Sequence, residues 1–316
     1  LANELYGLGV GEVAFDWAAF STFHPVSGGT GAMMDLDEMG NYLAIASLDG
    51  DGIGDLVKAL SPYPGRFVTF SVVLNFAFSA VLERAFERAF AGGFEIRGAR
   101  GECGRIYPGK ELRGIRAAIL YSGGDDLVMY GEWRDVITAI IYLVKEVREL
   151  LPSITVSGGV AIFKPKFPLR YAYSASRGLE GSAKNERDLG GGRVVLSVSE
   201  KYRVTGKGER KDYTSLSWEE LEEYFTLSEA LLRTGEIPSA YLYKVYEAGE
   251  MAEEEENAPR ALVTYAYLNA RTGYLEKLKV YINCLREALG REPSIKLLDY
   301  TEGSADEVLG QVMKFR

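Results

Sequence analysis

Short apolar runs that break on glycine and aspartate set the rhythm of the first two hundred residues. Residues 42–48 (YLAIASL) have the pattern of a buried strand and run into the Gly/Asp loop Asp49-Gly50-Asp51-Gly52. Residues 53–60 fit a short helix stopped by Ser61-Pro62, and residues 67–90 predict a long apolar helix closed by Gly92-Gly93. Residues 94–114 are polar and Gly-rich, the pattern of a loop or ragged hairpin. Residues 115–121 (IRAAILY) and 127–130 (LVMY) predict two more strands. Only Ser122-Gly123-Gly124-Asp125-Asp126 separates them, which predicts a tight hairpin turn. Helical spacing returns over 133–151, a strand over 153–163, a helix over 168–184 and a strand over 193–198.

From residue 218 onward the spacing is helical throughout, and the acidic run 253–256 reads as a solvated helix end or loop. Residues 1–40, with the Gly-rich stretch 27–31, read as a lead-in segment. The expected organisation is therefore a lead-in over 1–40, an α+β domain over 41–215 and an all-α domain over 216–316. The element order β-α-α-β-β-α-β, then α-β, is that of a split ferredoxin-like domain.

That order carries a chemical consequence. A right-handed crossover places the third strand between the first and second and antiparallel to the first. The end of the first strand, Asp49, then lies beside the start of the third, the Asp125-Asp126 turn. Carboxylates this close repel unless cations neutralise them. Hard oxygen donors with an open face suit two Mg²⁺ or Mn²⁺ ions, which also accept phosphate oxygens as ligands. Such a pair can activate a ribose 3′-hydroxyl and steady a leaving pyrophosphate, so ATP or a similar triphosphate is the expected substrate. Gly123 and Gly124 permit positive φ and clear space for a nucleotide. Gly50 and Gly52, just before a helix start, are expected to leave backbone N–H groups free for phosphates, and Asp51 between them is counted with the same nucleotide-binding loop. Lys184, at a helix end before a Gly-rich turn, has the reach to meet a triphosphate tail, and Ser122 either touches a base or merely fits the turn. Read alone, the Gly-Gly-Asp-Asp turn is also an ordinary hairpin, and the Asp-Gly-Asp-Gly loop a plain turn. No glutamate stands at the twelfth position that an EF-hand loop needs.

Composition narrows the field. The chain has 316 residues, 47% of them hydrophobic and 26% charged, a soluble balance with length for two domains. A net charge of −9 provides no global basic field for nucleic acid. Two cysteines suit a reducing, cytoplasmic setting, and they exclude a four-thiolate zinc module or a disulfide framework. A lone histidine, His24, excludes a site built on several histidines. No apolar run reaches membrane-spanning length and no signal peptide is visible. The first residue is Leu, which fits a piece of a longer chain.

Four stretches, LAIASLDGDGIGDLVKALSP, ILYSGGDDLVMYGEW, ITVSGGVAIFKPKFPLRYAYSAS and LEGSAKN, resemble the palm-type polymerase/cyclase region of the large subunit of type III CRISPR effector complexes. They span about residues 40–200 in family order, and the Gly-Glu-Trp after the turn is closer to the Csm branch than to the Cmr branch. The resemblance implies a palm domain followed by a helical domain. It implies synthesis of cyclic oligoadenylate from ATP, switched on by target RNA within a complex of guide RNA and other effector subunits, for antiviral defence. Carried over by position, Asp49, Gly50, Asp125 and Asp126 are the expected metal set, Asp49, Asp125 and Asp126 the expected catalytic carboxylates, Ser122 lies near a base and Lys184 near phosphate. The HD nuclease and zinc module of full-length relatives do not fit one histidine and two cysteines. The family's product pocket lies between two palms, so a single palm is expected to need a missing segment or a homodimer. Two alternatives stand beside this reading. One is a non-catalytic nucleotide-binding scaffold subunit. The other is a different palm enzyme, for which a diguanylate cyclase would have Gly-Gly-Asp-Glu-Phe at the turn and a template-dependent polymerase a basic groove.

Overall fold

The computed structural model describes residues 25, 33–79, 95–97, 103–105, 115–186, 192–198, 214–234, 237, 238, 240, 241, 274 and 277. Two compact units divide the chain, one comprising residues 1–92 and 108–218, the other residues 93–107 and 219–316.

The first unit is built on a six-stranded mixed sheet. Its elements are α1 (Leu36–Met39), β1 (Leu43–Gly50), α2 (Ile53–Leu60) and α3 (Pro64–Ser79). In the second unit β2 (Glu95–Arg97) and β3 (Cys103–Arg105) pair as a short antiparallel ladder, within the segment expected to be a ragged hairpin. The first unit resumes with β4 (Ala117–Gly123), β5 (Asp126–Glu132), α4 (Trp133–Leu150), β6 (Val156–Phe163), α5 (Leu169–Asn185), β7 (Arg193–Val198) and β8 (Thr214–Ser217). The helix α6 (Trp218–Thr234) follows. The strand order is β4-β5-β1-β6-β7-β8. β5 lies between β4 and β1 and is antiparallel to both, the placement expected of a split β-α-β unit. β1 is also antiparallel to β6, and β6 runs parallel to β7. The α+β, ferredoxin-like expectation holds.

Side-chain alternation assigns the layers. Leu43 and Ile45 of β1 join Val128, Ala161, Phe163 and Val195 under one face of α5, which contributes Ala172, Ala175, Leu179 and Ala183. Small residues let this helix come close. A Cβ on Gly159 of β6 would lie 2.1 Å from the Ser176 carbonyl oxygen and 2.3 Å from the Glu180 nitrogen, so only glycine fits there. Beside it, the buried hydroxyls of Ser47 on β1 and Ser176 on α5 are 2.8 Å apart. The other face carries α3 and α4. The Ser122 hydroxyl, on the face of its register partner Leu127, donates to the Phe78 carbonyl of α3. α4 buries Val136, Ile140, Leu143, Val144 and Val147 at the 3.6-residue period. The Glu132 carboxylate caps it by accepting from the Arg134 and Asp135 amides.

Element bounds shift by a few residues from expectation: β4 begins at Ala117, β6 at Val156, and the 122–126 turn narrows to residues 124 and 125. α3 begins at Pro64, because a proline is accommodated in a first helical turn, whose amides need no helical acceptor. β8 was not anticipated: Thr214–Ser217 is a short, partly exposed edge strand with no apolar alternation to announce it. The expected continuation of α3 to residue 90, most of the lead-in and most of the helical pattern beyond α6 lie outside the described residues, while residues 33–40 of the lead-in are described and carry α1.

Candidate active site

Asp49 and Asp126 face each other across the β1–β5 ladder as direct register partners, so both side chains leave the same face of the sheet. Asp125 occupies the turn between β4 and β5. Gly124 supplies the turn's left-handed residue at φ +61°, with nothing within 4 Å of where a Cβ would be. Gly123 closes the hairpin as the partner of Asp126. The Gly50 amide donates to the Asp125 carbonyl at 3.1 Å and ties the hairpin tip to the end of β1. The three carboxylates expected to converge therefore share one end of the sheet.

α5 covers that end with charge. Lys184 Nζ lies 2.7 Å from Asp49 Oδ2 and 3.0 Å from Glu180 Oε1. Arg177 Nη1 lies 3.1 Å from Asp126 Oδ1 and 2.7 Å from Glu180 Oε2. Lys184, expected to stand near phosphate, is thus brought to the carboxylates. Arg177 and Glu180 were not singled out by sequence reasoning. Their signal was the spacing 177, 180, 184, which places three charges on one helical face with Lys184.

Burial raises the Asp49 carboxyl from its usual value of 3.8 to about 6, opposed by the Lys184 hydrogen bond and charge and reinforced by Asp125 and Asp126. Burial also raises Asp125, with the Asp126 charge adding to it. Burial acts to lower Lys184, yet the hydrogen bonds it donates to Asp49 and Glu180, with their charges, win and its pKa is raised. Negative charge is therefore held here with difficulty, and a divalent cation would relieve both the burial cost and the repulsion. The donor set, carboxylate oxygens at an open sheet end, fits such a cation in kind. Among the described residues, no three acidic, histidine or cysteine side chains are already gathered as a metal cage. Two of the acids instead lean on cations of α5.

The neighbouring loop is more committed than its sequence implied. The Asp51 carboxylate accepts from the Thr155 and Ser157 hydroxyls, each at 2.7 Å, and the Asp51 amide donates to the Thr155 carbonyl at 2.8 Å. With the Gly50 amide, expected to be free for phosphate, also taken by Asp125, two N–H groups of the loop are spent within the fold. Gly52, at φ +74°, is the left-handed residue that opens α2 and is exposed. Ser122 is buried and points to the α3 face, opposite the carboxylates, so the structure does not bring its hydroxyl together with them.

Comparison with known proteins gives this geometry a context. Residues 32–189 match the family model for the Cas10/Cmr2 second palm domain. A single-strand-specific deoxyribonuclease Cas10/Csm1 of subtype III-A from Enterococcus italicus is 32% identical over 174 residues, which cover 53% of this chain and 20% of that protein. The Cas10/Csm1 protein of Mycobacterium tuberculosis is 26% identical over 256 residues, 78% of this chain and 29% of that protein. The chain thus spans less than a third of the length of these curated relatives. Among solved structures, a Csm1–Csm4 cassette in complex with cA4 superposes with a TM-score of 0.58 at 17% identity, covering 85% of this chain and 40% of that one. Csm1 in T. onnurineus gives a TM-score of 0.58 at 18% identity over 94% of this chain and 41% of that one. These likenesses establish a shared fold. No described helix is long and apolar enough to cross a membrane.

Proposed function

The chain belongs to the Cas10/Cmr2 second palm domain family, and from that premise we propose that it is the nucleotidyl-transfer part of a type III CRISPR effector large subunit, making cyclic oligoadenylate from ATP. The observation that carries the reading is the pairing of Asp49 with Asp126 across two strands, with Asp125 in the adjoining turn. Three acids at one sheet end, with two cations above them, are the parts a triphosphate site needs. A Csm1–Csm4 cassette complexed with cA4 and another with pppApApA share this fold, which supports an oligoadenylate as product.

In this proposal Asp49, Asp125 and Asp126 hold two Mg²⁺ or Mn²⁺ ions, with the Gly50 backbone beside them. When bound, the ions supply Lewis acidity at the phosphates and at the attacking ribose hydroxyl. The chain's own groups do the rest. Lys184 is the nearest cation for a phosphate tail once Asp49 is engaged elsewhere. The bare Gly123-Gly124 turn leaves room for a nucleotide to approach the backbone. We place the protein's partners accordingly: other effector subunits, guide RNA and target RNA, in the cytoplasm. We also propose a palm over 41–215 followed by a helical domain over 216–316, with β8 carrying the sheet to Ser217, two residues past that boundary.

The test is incubation with each of the four labelled triphosphates and Mg²⁺ or Mn²⁺, with and without guide and target RNA and the partner subunits. ATP-specific oligomers made by the assembled complex are the expected outcome. ATP binding without product under every condition would favour the scaffold reading, and a linear product templated by RNA would favour a polymerase.

A further inference from the structure

A buried carboxylate is costly unless it is paired and hydrogen-bonded. Glu180 lies in the middle of α5, is 3% exposed, and divides its two oxygens between two cations: Oε1 to Lys184 and Oε2 to Arg177. Each cation continues to an acid at the sheet end, Lys184 to Asp49 and Arg177 to Asp126. The arc Asp49–Lys184–Glu180–Arg177–Asp126 therefore starts and finishes on register partners of the β1–β5 ladder. One counter-ion would satisfy a buried glutamate. This one holds two, and both cations reach the same cluster of acids.

The two ends of the arc differ in accessibility. The Asp49 and Asp126 side chains are 17% and 36% exposed, and those of Lys184 and Arg177 35% and 40%. Glu180 sits behind them, its own amide nitrogen against Gly159 of β6. An anionic ligand competing for the half-exposed cations can draw Lys184 and Arg177 from Asp49 and Asp126, whereas the buried Glu180 keeps its hold on both. Cations released from the acids then stay tethered at the site.

We propose that Glu180 is a positioning residue that holds Lys184 and Arg177 over the sheet end so that both meet the phosphate oxygens of a nucleoside triphosphate, with Arg177 the second phosphate-binding cation. This deepens the nucleotide-binding reading above and rests on it. Each cation serves the acids when the site is free of ligand and the polyphosphate when it is filled, and Glu180 is the fixed point of the exchange. The guanidinium presents two parallel donors to a phosphate, and the lysine a point charge, so the pair discriminates a polyphosphate from a monophosphate.

The test compares binding of the β,γ-imido analogue of ATP with binding of AMP, in Mg²⁺, to the full chain by calorimetry. In Glu180→Gln the analogue is expected to lose about 10-fold in affinity, the low end for loss of a group that orients a ligand-binding side chain, while AMP is held nearly as before. Arg177→Gln is expected to show the same selectivity, and the double variant to lose less than the product of the two. Thermal melting verifies that the variants fold. If Glu180→Gln does not fold, Glu180→Asp keeps the charge, withdraws it by one methylene and is expected to show the same selective loss. Unchanged analogue binding in Glu180→Gln, or an equal loss for analogue and AMP, overturns the proposal and leaves the nucleotide site standing. A wild-type chain that binds neither ligand overturns both.

Discussion

Asp49 carries the sharpest tension at the level of single residues. Its carboxyl, raised to about 6 in the folded protein against an ordinary 3.8, favours the folded state when protonated. Its contribution to stability is fully present below about pH 3.8 and is lost as pH rises through about 6. Metal-free protein melted in chelator at a series of pH values should therefore show a falling contribution across that window. Asp49→Asn should flatten the fall, and an unchanged slope would remove Asp49 as its source. The same tension predicts the outcome at the turn. Asp125→Ala combined with Asp126→Ala removes two repelling acids at a sheet end, so stability should change by less than ~1 kcal/mol. Nucleotide polymerisation by the assembled complex should be abolished, as product analysis would show. Normal turnover by that variant would displace the site from these residues.

At the level of elements, the decisive contact is α5 on β6. Gly159 leaves no room for a side chain against the backbone of α5 between Ser176 and Glu180. Gly159→Ala must push the helix outward, taking Arg177, Glu180 and Lys184 with it. A stability loss of about 1–3 kcal/mol is expected from overpacking, together with weaker binding of a triphosphate, readable by denaturant titration and calorimetry. A substitution that preserves both would mean that α5 is free to settle elsewhere. The elements themselves were largely legible in the sequence: apolar runs ending on Asp49 and on the 122–126 turn marked β1, β4 and β5, and crossover handedness then placed Asp49 beside Asp126. Other features were not legible, because they depend on what a residue meets across the fold. Glu180 reads as a surface acid on a polar helix until Gly159 and Ser47 let that helix sink onto the sheet. The Gly50 amide reads as free until the Asp125 carbonyl, from a distant part of the chain, reaches it.

At the level of the whole molecule, one palm supplies one set of carboxylates and one pair of cations. Joining nucleotides requires a 3′-hydroxyl held against the α-phosphate of another, so a second nucleotide must be bound face to face with the first. The isolated chain is expected to bind ATP and turn it over slowly or not at all. Its rate per molecule should climb with protein concentration, or on addition of a second palm domain able to hold the acceptor nucleotide. A dilution series with a constant rate per molecule would show that one chain holds both halves of the site. The position of β1 bears on how that site moves. This strand is hydrogen-bonded on both sides from Leu43 to Asp49, whereas β4, which leads into the Asp125 turn, is an edge strand of the sheet. Deuterium should enter the β1 amides only through global opening, and the outer amides of β4 through local fraying. Asp49 is thus anchored to an inner strand, and Asp125 to a turn that an edge strand leads into. Fraying that starts at the outer strand would reach Asp125 first, and the Gly50–Asp125 hydrogen bond and the β1–β5 ladder are what it would have to break before Asp49 and Asp126 part.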